Sequence, residues 1–369
     1  MKIAIYSTMV IPTNSDLDSY GGLELVAGMQ AKYFDDVGHD VSLFACKNSY
    51  FSINKDGTKQ GSDRSHLYTV GEPGTDPVKA WKKYWDTPET RKVLKEADII
   101  CDHSWQFYPY SVHGELKHVC HSWHGPNLDF RVKPPYEKPN LIGVSFMHSK
   151  LMSKLVPDIE WRTVQNGIPL YKYDMNNKPI SERERLLWLS RIYEPKGAHR
   201  AIEIANALEM PIDIVGGSFG DIPAYTTKIK QMCESSKYAT FHGEVSFKKK
   251  LEFYRNAKCV ILPIIEKGFE SIPYPNMEWH EPFGLVTPEA GACGTPTIVT
   301  PNGGWVESMI HGYNGYFANS NKEFEYYIKK IDDIKPENCR EMAERFDYKI
   351  MGENYLNLFK EIVHYNNSW

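Results

Sequence analysis

The feature that most constrains this chain is a rhythm that runs once and then starts again. Short apolar runs at 3–7, 41–45, 97–101, 119–121, 142–146 and 163–165 have strand length, and the stretch at 23–37 between the first two has helical spacing and stops at Gly38. From 186 the pattern restarts. Strands are expected at 186–190, 212–215, 240–242, 259–263 and 297–300, and helices at 198–208, 225–233, 247–256 and 288–293. Three more helices are expected at 323–330, 338–345 and 350–362. Alternating strands and helices build a parallel sheet covered on both faces. The expected fold is therefore α/β, with two Rossmann-like doubly wound units in series facing a central cleft. The break falls near Asn166-Gly167-Ile168-Pro169, giving domains at 1–168 and 169–349, and the end of the chain, about 350–369, is a final helix. Ligands of such sheets bind at the carboxyl ends of the strands, so strand-to-helix loops are where chemistry is expected.

Composition narrows the class. The 369 residues are 41% hydrophobic and 24% charged, enough apolar material for two cores and too much for a disordered chain. Seven cysteines, an odd number with no CxxC, do not make a disulfide framework. A net charge of -4 provides no global basic field for nucleic acid, so no nucleic-acid partner is expected. No apolar run reaches the roughly 18 residues of a membrane span. The start Met1-Lys2-Ile3-Ala4-Ile5-Tyr6 reads as a buried strand rather than a secretory signal, and a cytoplasmic setting is expected. Peripheral contact with the cytoplasmic membrane face stays open, the run at 79–85 (KAWKKYW) being better read as a solvated helix face.

The densest motif is Glu281-Pro-Phe-Gly-Leu-Val-Thr-Pro-Glu289, two carboxylates eight residues apart after a buried strand. With a helix starting near Gly284, the amides of Phe283, Gly284 and Leu285 are helix-start donors suited to a phosphate. The carboxylates of Glu281 and Glu289 can accept from hydroxyl pairs, as on a sugar and a ribose. A second motif, Ser190-Arg191-Ile-Tyr-Glu-Pro-Lys196-Gly197, brings a guanidinium and an ammonium from one strand-to-helix loop onto one anion. The Gly21-Gly22 turn after the first strand allows close backbone approach at a helix start. Gly216-Gly217-Ser218-Phe219-Gly220 lacks dinucleotide spacing but lies after a strand, as do His242-Gly243, whose backbone can meet a base. His118, His121 and His124, with His103 and His113 nearby, lack metal-ligand spacing, and His124 alone is expected at the carboxyl end of its strand. Lys248-Lys249-Lys250 reads as solvated charge.

With these motifs in place, the chain resembles the retaining glycosyltransferases of family 4, which have the GT-B fold. Residues 281–289 resemble that family's E-x7-E motif, Arg191 and Lys196 its diphosphate pair, Gly21-Gly22 its N-terminal glycine loop, His124 its cleft histidine, and Gly303-Gly304 with Glu307 its late glycine turn. The resemblance implies transfer of a hexose from a nucleoside diphosphate sugar, UDP- or GDP-linked, to the hydroxyl of a glycan, lipid-linked or small-molecule acceptor with retention of configuration. It implies that Glu289 holds the ribose and Glu281 the donor sugar. The diphosphate falls to Arg191, Lys196, Gly22 and the amides of Phe283–Leu285, and His124 lies by the reacting carbon. Gly21, Gly216, His242 and Gly243 complete the donor-binding set. No metal or other cofactor is expected, since the basic pair takes the metal's part, and the last helix is expected to cross back to the first domain. A related epimerase, a glycoside phosphorylase and a silent nucleotide-sugar binder are the alternatives. The segment 264–280, which separates the strand at 259–263 from the EPFG run, departs from the family pattern and reads as a lid, an acceptor platform or a passive loop.

Overall fold

The structure is a computed structural model that describes residues 1–14, 21–51, 62–69, 71–74, 87–104, 116, 118–126, 139–218, 223–270 and 278–369. The 79–85 run, His113, Phe219, Gly220 and the middle of the 264–280 segment lie outside the described residues. The chain divides into two compact units, Met1–Ile168 with Asp347–Trp369, and Pro169–Phe346.

The first unit holds a wholly parallel sheet in the order β3-β2-β1-β4-β5-β6-β7 among the described residues. Its strands are β1 (Lys2–Tyr6), β2 (Asp40–Ala45), β3 (His66–Thr69), β4 (Ile99–Asp102), β5 (Val119–Trp123), β6 (Leu141–Gly143) and β7 (Trp161–Thr163). Helices α1 (Gly22–Asp36), α2 (Pro88–Glu96) and α3 (Phe146–Leu155) belong to this unit. The strand order reverses between β1 and β4, which makes the loops leaving those two strands the topological switch point where ligands bind in such sheets. Tyr6, Phe44, Ile100, Val119 and Leu141, one from each of five strands, share one buried core.

The second unit repeats the plan with a parallel sheet in the order β10-β9-β8-β11-β12-β13. It comprises β8 (Arg185–Leu189), α4 (Ala198–Leu208), β9 (Ile212–Val215), α5 (Pro223–Ser235), β10 (Ala239–Gly243), α6 (Phe247–Asn256), β11 (Ala257–Leu262), α7 (Val286–Ala292), β12 (Thr297–Val299), β13 (Gly315–Phe317), α8 (Asn321–Lys330) and α9 (Pro336–Glu344). Here the switch point lies between β8 and β11. The closing helix α10 (Tyr348–Tyr365) returns to the first unit, where Phe359 meets Phe34 of α1 at 5.5 Å between ring centroids.

Several elements differ from the sequence reading, each for a local reason. The apolar run at 142–146 is not one strand. Ser145 ends it by accepting a hydrogen bond from the His148 amide, and α3 begins at Phe146. Strand β7 is Trp161–Thr163, not 163–165. Helix α2 escaped the reading because its apolar face is thin, although Thr87-Pro88-Glu89 is a helix-start signature and Thr87 caps the Thr90 amide. Strands β3 and β13 are only four and three residues long and lie at sheet edges, where alternation carries little signal. Phe34 and Phe359 are fully buried. Phe359→Ala is expected to lower the unfolding free energy by about 3–5 kcal/mol in denaturant titration, the cost of emptying an aromatic site that cannot fully collapse.

Candidate functional site

In the second unit the β8-to-α4 loop leaves the sheet beside the end of β9. The Ser190 amide donates to the Val215 carbonyl at 3.2 Å and the Ile192 amide to the Gly217 carbonyl at 2.9 Å. A short turn, Glu194–Lys196, then closes on Gly197 at φ +71°. A Cβ on Gly197 would stand 2.0 Å from the Pro263 carbonyl oxygen, so only glycine lets this loop lie against the end of β11. The Trp188 indole donates to the Lys196 carbonyl at 3.0 Å. The Lys196 ammonium forms an ion pair with Glu281 Oε2, and both side chains are largely buried. Burial pulls Lys196 below the usual lysine range; Glu281 opposes that and Arg191 adds to it. Arg191 lies 4.6 Å over the ring of Tyr193.

The 281–289 motif is held by the late glycine turn. Glu281 and Gly303 form a parallel bridge, the Gly304 amide donates to the Glu281 carbonyl at 2.7 Å, and a Cβ on Gly303 would sit 2.1 Å from that oxygen. Helix α7 starts at Val286, two residues after Gly284. Gly284 has φ +85° and packs under Trp305, while Phe283 meets Phe346 at 5.7 Å. Phe283, Gly284 and Leu285 therefore lead into the first turn, with Leu285 at its cap. Glu289, in that first turn, is buried and accepts from three side chains among the described residues. Tyr173 Oη donates to its Oε1 at 2.9 Å, Lys250 Nζ to the same oxygen at 3.0 Å, and Tyr254 Oη to Oε2 at 2.7 Å. Burial, then the Glu289 charge, pushes both tyrosines well above the usual range. Lys250 thus corrects the sequence reading: it is a partly buried partner of Glu289, not solvated charge. Tyr173 and Tyr254 were missed altogether.

Gly216 and Gly243 stand together at the ends of β9 and β10, where the Gly216 amide donates to the Gly243 carbonyl at 2.8 Å. His242 is turned elsewhere. Its Nε2 lies 2.7 Å from Asp213 Oδ1, and Arg185 binds the same carboxylate through Nε and Nη2 at 2.7 Å each. Burial raises Asp213, but these hydrogen bonds more than offset it and hold the carboxyl below its usual range. The imidazole is therefore committed to Asp213, and only the His242 backbone stays with the glycines.

In the first unit, His124 follows β5 and joins a buried relay. His124 Nε2 is 2.9 Å from His103 Nδ1, and His103 Nε2 is 2.8 Å from Gln30 Oε1 on α1. Burial, with His103 and His148 adding, holds His124 well below the usual histidine range. His103 follows β4, at the switch point, and that position was the signal for it. Gly21 caps α1 and Gly22 opens it. Glu24, one turn on, bonds Thr8 at the end of β1, and a Cβ on Gly21 would strike its carboxylate at 2.4 Å. Among the described residues no group of three or more His, Cys, Asp or Glu side chains could hold a metal ion, and no helix is long and apolar enough to cross a membrane.

With this geometry in hand, comparison with known proteins is direct. Residues 173–350 match the family model described as glycosyl transferases group 1. That match spans most of the second unit and just under half of the chain. A probable sucrose-phosphate synthase of Thermosipho melanesiensis is 35% identical over 86 residues, 22% of this chain and 20% of that protein. The matches to the first curated relatives span between 20% and 62% of their lengths. Among solved structures, the sucrose-phosphate synthase from Thermosynechococcus elongatus superposes with a TM-score of 0.75 at 15% identity, covering 99% of both chains. Anabaena Alr3699/HepE in complex with UDP and glucose superposes at 0.69 and 16% identity, over 98% of this chain and 100% of that one. The fold is therefore GT-B, as the sequence reading expected.

His148 gives the first unit an acid limit. Its Nδ1 accepts from the Val144 amide at 3.3 Å and its Nε2 donates to the Gly125 carbonyl at 2.9 Å, which fits only the neutral ring. Burial lowers it from 6.5 to about 4. Between those values the unfolded chain binds the proton more readily, so stability falls as pH drops through the window, by about 3 kcal/mol for this group. Urea titrations at stepped pH should show that slope, and His148→Gln should flatten it.

Proposed function

We propose that this chain is a retaining, metal-independent glycosyltransferase that moves a hexose from a UDP- or GDP-sugar to an acceptor hydroxyl. The observation that carries the reading is the convergence of Arg191, the buried Lys196–Glu281 pair and the 283–285 turn at the switch point of the second sheet. The reaction breaks the bond between the sugar's anomeric carbon and the phosphate oxygen. Positive charge develops on carbon and negative charge on the departing diphosphate. Arg191 and Lys196, fixed before the donor arrives, neutralise the leaving group without reorganisation, in the role that a divalent ion fills elsewhere. Amides of Phe283, Gly284 and Leu285 and the Gly22 helix start would add donors.

Glu281 would accept hydroxyls of the donor sugar while its second oxygen keeps Lys196. Glu289 would accept the ribose. Its two tyrosine partners are buried and fixed, and Lys250 is the partner a ribose hydroxyl would displace. Gly216, Gly243 and the His242 backbone would meet the base. His124, held by His103, would stand by the reacting carbon and supports the developing positive charge best as a neutral ring. The acceptor is a glycan, a lipid-linked sugar or a small molecule, and the setting is cytoplasmic, with the membrane face open to peripheral contact. The group 1 family match and a fold shared with a UDP-and-glucose complex support this reading.

Arg191→Ala and Lys196→Ala are each expected to cut transfer by about 100-fold or more. Circular dichroism should show a retained fold, with some stability lost in Lys196→Ala because Glu281 is left buried without its partner. Transfer should persist in EDTA. Unchanged turnover in both variants would refute the proposal, and a thermal-shift panel of nucleotide sugars would name the donor.

A further inference from the structure

The described parts of the 264–280 segment are tied to the cation loop at one end and to the late glycine turn at the other. The Ile265 amide donates to the Pro195 carbonyl at 2.9 Å, and the Glu270 amide to Glu194 Oε1 at 3.1 Å. At the far end the Trp279 amide donates to the Glu266 carbonyl at 2.8 Å, and the Trp279 carbonyl accepts from Asn302 Nδ2 at 3.1 Å. His280 Nδ1 holds the other side of that amide, 2.7 Å from Asn302 Oδ1. Trp279 is thereby fixed from both sides, and its side chain is buried, with 4% of the residue exposed.

What the indole touches is specific. The Lys196 ammonium lies 4.9 Å from its ring centre, and the Tyr193 ring meets it edge-on at 5.3 Å and 68°. Tyr193 in turn lies under Arg191 at 4.6 Å. The four side chains form a row: cation, ring, ring, cation. Two cations gathered for one anion repel each other while the site is empty. Glu281 answers Lys196, and a second carboxylate, beside Arg191, would cancel charge the anion needs. An aromatic face attracts a cation and leaves its charge in place for a ligand. The indole Nε1, moreover, is buried without a hydrogen-bond partner among the described residues, a donor left in reserve beside the site.

We propose that Trp279 is a positioning residue for diphosphate binding: with Tyr193 it forms an aromatic rack that holds Lys196 and Arg191 at the spacing a nucleoside diphosphate requires. The end of the 264–280 segment at Trp279 is then part of the donor site. The inference rests on the reading of Arg191 and Lys196 as diphosphate ligands, and the experiment separates the two. Calorimetry on the full chain with UDP and UMP, and with GDP and GMP, reads the diphosphate-specific part of affinity. Trp279→Ala should weaken binding of the preferred diphosphate about tenfold and Trp279→Phe only about threefold, since phenylalanine keeps a face for the cation. The matching monophosphate should change little in either variant. Equal losses for diphosphate and monophosphate, or no loss, overturn the proposal.

A second measurement needs no ligand. In 1H–15N spectra the Trp279 indole resonance, assigned by its absence from Trp279→Phe, should move in Lys196→Ala; an unmoved resonance overturns the rack even if Trp279→Ala fails to fold or neither nucleotide binds. If the resonance moves while Arg191→Ala and Lys196→Ala keep full diphosphate affinity, the rack stands as geometry. In that case the donor reading fails, and with it the role proposed for Trp279.

Discussion

A buried lysine is costly unless something nearby answers its charge, and the second unit is organised around answering Lys196. Glu281 supplies the counter-charge from 85 residues away. To bring it there, the chain places Gly303 against the Glu281 backbone and Gly197 against the end of β11, two approaches so close that no side chain fits either. Breaking such a pair leaves an uncompensated charge in a low-dielectric site, which is why its supports are so rigid. The same rigidity is what a leaving-group site needs, because donors that are already aimed do not have to reorganise as charge develops.

The two carboxylates of the 281–289 motif are prepared in different ways. Glu281 faces one cation and keeps spare acceptor capacity. Glu289 sits in a cage of two tyrosine hydroxyls and one ammonium, its oxygens oriented before any ligand is present. Two of those donors are buried with their carboxylate and one, Lys250, is partly open to solvent. The carboxylate thus has two buried partners and one that solvent reaches.

Local rules made much of this legible. The doubled strand–helix rhythm announced two parallel sheets, and glycine and proline punctuation marked the loops at their switch points. What the sequence hid was pairing at a distance. Nothing local joins Tyr173 to Glu289 or His103 to His124, because such contacts exist only once the sheet order is known. Lys250 was concealed by its neighbours. Three successive lysines on a helix point about 100° apart, so one can turn inward while Lys249 pairs with Glu252 in solvent. The ring of His242 was hidden in the same way, since its place at a strand end gave no hint that Asp213, which Arg185 also binds, would claim it.

The first unit is completed by a helix that follows the whole second unit. Phe34 of α1 waits for Phe359 of α10, and the Ser122 hydroxyl beside the histidine relay waits for Tyr355 Oη, 2.7 Å away. The whole second unit is translated between those partners. On the ribosome, then, the first unit keeps one flank of its core open until the second has been translated in full.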